Sequence, residues 1–171
     1  PKQAQRIIAT SPPYLKTSKP LKRVDHKCSV VPLGIEDRFD HENADIDAGQ
    51  PATDVASDAA KPTPLRVVAI GRMAHYKGFD LLLRALAQTK HIALDFIGDG
   101  EQARSLQHLA ASLKLGARVH FHGALGDDAR DKLIAACDCL CLPSTDRTES
   151  FGVVILEAMS AGKACVVSNV A

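Results

Sequence analysis

LRVVAIGRMAHYKGFDLLLRALAQTKHIALDFIGDG, Leu65 to Gly100, reads as a strand, a loop, a helix and a second strand. LRVVAI is an almost unbroken apolar run ended by Gly71, the pattern of a strand covered on both faces. GFDLLLRALAQT places Phe79, Leu82, Leu83 and Leu86 at i, i+3, i+4 and i+7, one face of a helix. IALDFIG repeats the strand text and closes with GDGE. Outward toward the C-terminus the alternation continues. ARSLQHLAASLKL is a helix with Leu106, Leu109, Ala110 and Leu113 on one side, and RVHFHG is a short strand. DDARDKLIAAC is a helix opened by Asp127 and Asp128, whose charge suits its positive end. DCLCLPS, FGVVILEAMSAG and ACVVSNV read as strand, helix and strand, with the helix stopped at Gly162. Strands alternating with helices over short loops predict an α/β fold, a parallel sheet with helices on both faces.

Outward toward the N-terminus the text changes twice. Residues 40–64, with HENADIDAGQPATDVASDAAKPTP, are rich in Asp, Ala and Pro and carry no periodic apolar positions. Such a segment buries too little to offset its chain entropy, so it reads as a linker or a disordered surface insertion. Residues 1–39 hold two short apolar runs, RIIATS and KCSVVPLG, around the polar SPPYLKTSKPLKR, with Lys16, Lys19, Lys22, Arg23 and Lys27 clustered.

Composition removes several function classes. A net charge of +1 gives no general drive toward nucleic acid or an anionic membrane, and 4% aromatic residues without Trp leave few platforms for stacking bases. No apolar run reaches the length of a membrane span, and the first residues lack the layout of a signal peptide. The five cysteines are odd in number and sit mostly in strand-like text, which fits a reducing, cytoplasmic setting. Cys137, Cys139 and Cys141 alternate, as side chains on one face of a strand would. With no further ligand at metal spacing they read as packing residues.

In an open parallel sheet, ligands bind beyond the carboxyl ends of the strands. Four segments end there: Gly71–Gly78, Gly98–Glu101, His122–Gly123 and Ser144–Gly152. The first, GRMAHYKG, offers Gly71 for close backbone approach and the cations Arg72 and Lys77 ahead of a helix N-terminus. Cations, free amides and a helix dipole make an anion site suited to a phosphate or diphosphate, although surface ion pairs would explain the two cations equally well. The loop is neither a Walker loop, since Lys77 precedes Gly78-Phe79, nor a dinucleotide fingerprint, since no GxGxxG follows Ile70.

The fourth segment leads into a helix that is apolar nearly all round, yet it carries Glu157 inside the run and Glu149 just before it. On one continuous helix, eight residues leave two side chains roughly 80° apart in azimuth and about 12 Å apart along the axis. The two acids therefore do not serve one reacting atom, but they suit two ends of an elongated ligand. A carboxylate among Val154, Ile155, Leu156, Ala158 and Met159 is costly to bury unless donors meet it. Sugar hydroxyls would supply them, and so would an internal Lys or Arg. Between the acids, Phe151, Gly152 and Val153 present free amides at the helix start, where Gly152 allows close approach.

At these residues the chain resembles a known family. Glu149 to Glu157 is similar to the E-x7-E motif of retaining glycosyltransferases with the two-Rossmann (GT-B) architecture, glycosyl transferases group 1. ESFGVVILEAMSAGKACVVS follows that signature almost letter by letter, GRMAHYKGFDLLLRAL resembles the GR-x4-KG segment, and IGDGE and VHFHG fall at the expected intervals. These motifs run from Leu65 to Val170. SVVPLGIE in the first zone resembles the connection between the family's two domains. The resemblance implies a Rossmann-like doubly wound sheet over 65–171, one half of a GT-B fold, with 1–39 the end of an N-terminal domain and its connection.

It also implies roles. Arg72 and Lys77, beside Gly71, would hold the donor's diphosphate. Glu149 would contact the donor sugar, with the Phe151, Gly152 and Val153 amides beside sugar and phosphate. Glu157 would bind the ribose, and His122 and Gly123 would lie against the base through backbone groups. Glu149, Arg72 and Lys77 would carry catalysis. The implied reaction moves a hexose from a nucleoside diphosphate to an acceptor hydroxyl with retained configuration. It needs no cofactor and no metal, because the two cations stabilise the leaving diphosphate. The implied setting is cytoplasmic, at the inner face of a bacterial membrane, in cell-surface polysaccharide or glycolipid synthesis. A glycan or lipid-linked acceptor and any peripheral membrane contact would belong to the other domain.

The chain departs from the family in lacking the N-terminal domain's glycine-rich loop and catalytic His, and in stopping at SNVA. We therefore expect an excised donor-binding half, truncated at its C-terminus, that binds nucleotide weakly and transfers nothing alone. The alternatives are an epimerase or phosphorylase on the same architecture, or a non-catalytic sugar-nucleotide-binding module.

Overall fold

The computed structural model describes residues 3–39, 63–146 and 152–170. The segment read as a linker therefore falls outside the described residues except for its last two positions.

Among the described residues the chain builds two parallel sheets. The first pairs β1 (Ile7–Ala9) with β2 (Cys28–Val30), and between them runs α1 (Pro12–Thr17). The text SPPYLKT, read from sequence only as polar, is helical for a local reason. The Ser11 hydroxyl accepts the Tyr14 amide at 3.2 Å, and Pro12 and Pro13 fill the first helical positions, where a missing N–H costs nothing.

The second sheet has five strands in the order β5-β4-β3-β6-β7. They are β3 (Leu65–Ile70), β4 (Ile92–Ile97), β5 (Val119–Phe121), β6 (Cys139–Leu142) and β7 (Ala164–Val167). All four pairings are parallel. The helices α2 (Phe79–Ala87), α3 (Ala103–Ser112), α4 (Asp127–Ala136) and α5 (Val153–Ser160) make the crossovers. The α/β reading holds, with helices on both faces.

Two apolar layers follow from the alternation of side chains along the strands. One face sends Val67, Ala69, Leu94 and Phe96 against Phe79, Leu83 and Leu86 of α2 and Leu106 and Ala110 of α3. Phe96 lies 5.1 Å from Phe79 and 5.0 Å from Phe121, centroid to centroid, joining α2, β4 and β5. The other face sends Val68, Ile70, Ile97 and Leu140 against Ile134 and Cys137 from the α4 side and Ala158 of α5, with Phe39 packed at its border. Central β3 is buried from Val67 to Ile70, which explains its unbroken apolar text, whereas edge strand β7 is largely exposed.

One expectation needs correction. Cys137 does not share a strand face with Cys139 and Cys141: it caps the end of α4. Its side chain lies in the second apolar layer, while Cys141 borders the first. The strand begins only at Cys139, because Asp138 turns the chain by accepting the Arg66 amide at 2.7 Å.

Candidate functional site

Because every strand of the large sheet runs the same way, the loops after β3, β4, β5 and β6 gather at one edge. Backbone hydrogen bonds tie them side by side. The Gly71 amide donates to the Ile97 carbonyl at 2.9 Å, Met73 to Asp99 at 2.9 Å, and Gly98 to Gly123 at 2.7 Å. Thr145 donates its amide to the Tyr76 carbonyl at 2.7 Å, and its hydroxyl reaches the same oxygen at 3.2 Å. The two loops flanking the point where strand order reverses, after β3 and after β6, are thus clasped together. That is where an open α/β sheet leaves its crevice.

Gly98 is required here. A Cβ would meet the Gly71 carbonyl oxygen at 2.1 Å, and its φ of +130° is closed to other residues. The GDG turn therefore exists to let two strand-end loops touch backbone to backbone.

Lys77 ends a single 3₁₀ turn, His75–Lys77, ahead of α2. The residue is 7% exposed and its ammonium lies alongside Gly71, where an added Cβ would be 3.1 Å from Nζ. Nζ also stands 5.6 Å from the centroid of the Tyr76 ring. Arg72, by contrast, is exposed and pairs with exposed Glu101, Nε to Oε2, at 3.3 Å. The loop thus carries one sheltered cation at a glycine and one surface cation in a weak pair.

His122 and Gly123 follow β5 directly. The His122 amide donates to the Phe96 carbonyl at 2.9 Å, and His122 Nε2 lies 2.7 Å from Asp95 Oδ1. Asp95 is buried and also has His120 Nδ1 at 3.6 Å and Arg66 at 3.8 Å. A carboxylate in the middle of IALDFI was a legible signal that sequence reasoning passed over. Its role is to fix the imidazole of His122 across the strand pair.

Gly152 caps α5 in the left-handed region, φ +70°, and Val153 opens the helix. Glu149 and Phe151 lie outside the described residues. Glu157 is described, 12% exposed in its side chain. Its donors are two arginines: Arg38 Nη2 and Arg130 Nη2 both stand 3.2 Å from Oε1. Neither arginine was singled out in the sequence, since Arg38 is far away along the chain and Arg130 sits on a helix that was read only for its opening aspartates. Of the two donor sources left open for Glu157, the internal one is present. Among the described residues no cluster of three or more His, Cys, Asp or Glu side chains is arranged to hold a metal ion.

Residues 52–171 match the family of glycosyl transferases group 1. The chain belongs to that family. It is 31% identical to the D-rhamnosyltransferase WbpZ of Pseudomonas aeruginosa over 96% of this chain and 41% of that protein. It is 28% identical to the O-antigen chain mannosyltransferase C of Escherichia coli, over 88% of this chain and 38% of that protein. Among solved structures, sucrose-phosphate synthase from Thermosynechococcus elongatus superposes with a TM-score of 0.73 at 26% identity, covering 98% of this chain and 41% of that one. Anabaena Alr3699/HepE in complex with UDP-glucose superposes with a TM-score of 0.74 at 24% identity, over 98% of this chain and 45% of that one, a likeness of fold. The chain spans about two fifths of the length of these curated relatives.

Proposed function

We propose that this group 1 glycosyltransferase chain is the donor-binding half of an enzyme that moves a hexose from a nucleoside diphosphate to an acceptor hydroxyl with retained configuration. The observation that carries the reading is Lys77, a sheltered ammonium beside Gly71 at the point where strand order reverses. A cation there meets a diphosphate with little competition from water, and the start of α2 adds its dipole. Arg72 gives up only an exposed ion pair with Glu101 on turning to the same diphosphate, and such pairs contribute little. Lys77 and Arg72 then stabilise the leaving group without a required metal ion.

In this reading Glu149 and the Phe151, Gly152 and Val153 amides meet the donor sugar. Glu157 takes the ribose, and His122 and Gly123 border the base. Alr3699/HepE is recorded with UDP-glucose, which supports a sugar nucleotide as the ligand class. Relatives that act on O-antigen favour a role in cell-surface polysaccharide or glycolipid synthesis at the cytoplasmic face of a membrane. The acceptor belongs to the portion of the relatives that this chain does not span, so the chain alone binds donor weakly and transfers no sugar. Titration calorimetry with UDP and GDP tests the reading. We expect Lys77→Ala to weaken binding by about 1–3 kcal/mol, the loss of one charged hydrogen bond. Unchanged affinity in a folded variant removes the reading, and sugar transfer by this chain above a Glu149→Ala control removes its last clause.

A further inference from the structure

Away from the strand-end loops, the densest charge group in the described residues joins the segment after β2 to α4 and α5. Arg38 Nη1 lies 3.3 Å from Asp127 and 3.4 Å from Asp131, while its Nη2 reaches Glu157. Arg130 Nη2 lies 3.0 Å from Asp127 and 3.2 Å from Glu157. Both guanidinium contacts to Glu157 end on one oxygen, Oε1, and Oε2 has no recorded partner among the described residues. Two cations face three carboxylates, so the group keeps one net negative charge.

That balance selects a ligand. A diphosphate would be repelled, whereas neutral hydroxyls donating to a fixed carboxylate oxygen would be held. Two guanidiniums arriving from different elements at Oε1 also stop the side chain turning about its terminal bond, which presets where Oε2 points. A carboxylate this sheltered is costly without such partners. We propose that Arg38 and Arg130 are positioning residues: they hold Glu157 by Oε1 so that Oε2 accepts from the vicinal hydroxyls of the nucleotide ribose. This rests on Glu157 being the ribose ligand. It adds that the site is completed by Arg38, a residue of the connection and not of the five-stranded unit.

The experiment compares UDP with 2′-deoxy-UDP, and GDP with 2′-deoxy-GDP, by calorimetric titration of the chain and of Arg38→Ala, Arg130→Ala, Arg38→Lys, Arg130→Lys and Glu157→Gln. The readout is the ratio of ribo to deoxy affinity, which does not depend on how much of a variant is folded. We expect the unaltered chain to prefer the ribonucleotide by about tenfold, one hydrogen bond to a charged group. Glu157→Gln and each Arg→Ala should bring the ratio close to one, and the lysine variants should restore part of it. If Glu157→Gln collapses the ratio while both Arg→Ala variants keep it, the positioning role is wrong and Glu157 as ribose ligand stands. If Glu157→Gln leaves the ratio unchanged, or the chain shows no preference, the ribose reading falls and takes this inference with it. Tighter nucleotide binding by Arg38→Ala would make Arg38 a plug in the site, which also overturns the proposal.

Discussion

At the scale of single residues, burial alters chemistry in ways that residue type alone does not reveal. Cys141 is half-buried on β6 at the border of the first apolar layer, and desolvation of its thiolate, with Cys139 adding a smaller push, raises its pKa from 9.0 to about 11. The folded state thus favours the neutral thiol. The stability this contributes is present below pH 9 and is lost as pH rises toward 11. Iodoacetamide at pH 8, read by peptide mass mapping, should label Cys141 far more slowly than the same cysteine in urea-unfolded chain, with the gap closing toward pH 11. Equal rates at pH 8 would contradict the burial. Glu157 shows how far such a residue can be read from sequence. That a carboxylate in VVILEAMS needs donors was legible from the cost of burying it. That the donors include Arg38 was not, because their separation along the chain lies beyond any periodic pattern. The acid and its need are local, whereas the partners are set by tertiary packing.

At the scale of elements, periodicity was a sound guide wherever a helix or strand carried a full apolar face. α2, α3 and the strands beside them lie where their text places them, because each buries that face against the sheet, whereas α4 was read from its opening aspartates and buries only Ile134. α1 was not found, since it buries none of its residues and rests on its cap and prolines, which were present in SPPY but were read only as polar. The strand-end loops are where backbone geometry decides. Gly98→Ala would drive a Cβ into the Gly71 carbonyl and strain a positive φ, so separating the loops after β3 and β4. We expect a loss of about 2–4 kcal/mol in urea unfolding. Gly34→Ala, at a glycine with nothing within 4 Å of the added carbon, should change stability by no more than about 0.5 kcal/mol. Similar midpoints for the two variants would show that the close approach of the loops contributes no stability.

At the scale of the whole molecule, the segment after β2 is bound to the five-stranded unit by three consecutive residues of different chemistry. Asp37 accepts the Ser160 hydroxyl at 2.8 Å, Arg38 bridges α4 and α5 through their carboxylates, and Phe39 packs against the second apolar layer. The attraction between Arg38 and its sheltered carboxylates is largely offset by the cost of taking those charges out of water, so most of the energy should come from Phe39. α4 and α5 would then depend on a residue outside the unit they belong to. Phe39→Ala should lower the stability of that unit by about 1–3 kcal/mol, a half-buried ring leaving an apolar border open to water. In hydrogen exchange read by mass spectrometry, the loss of protection should concentrate in α4 and α5. α2 and α3 lie on the opposite face of the sheet and should keep theirs until global unfolding. If exchange in α4 and α5 is unchanged, the segment after β2 merely lies against the unit, and Arg38 reaches Glu157 without that segment being anchored there.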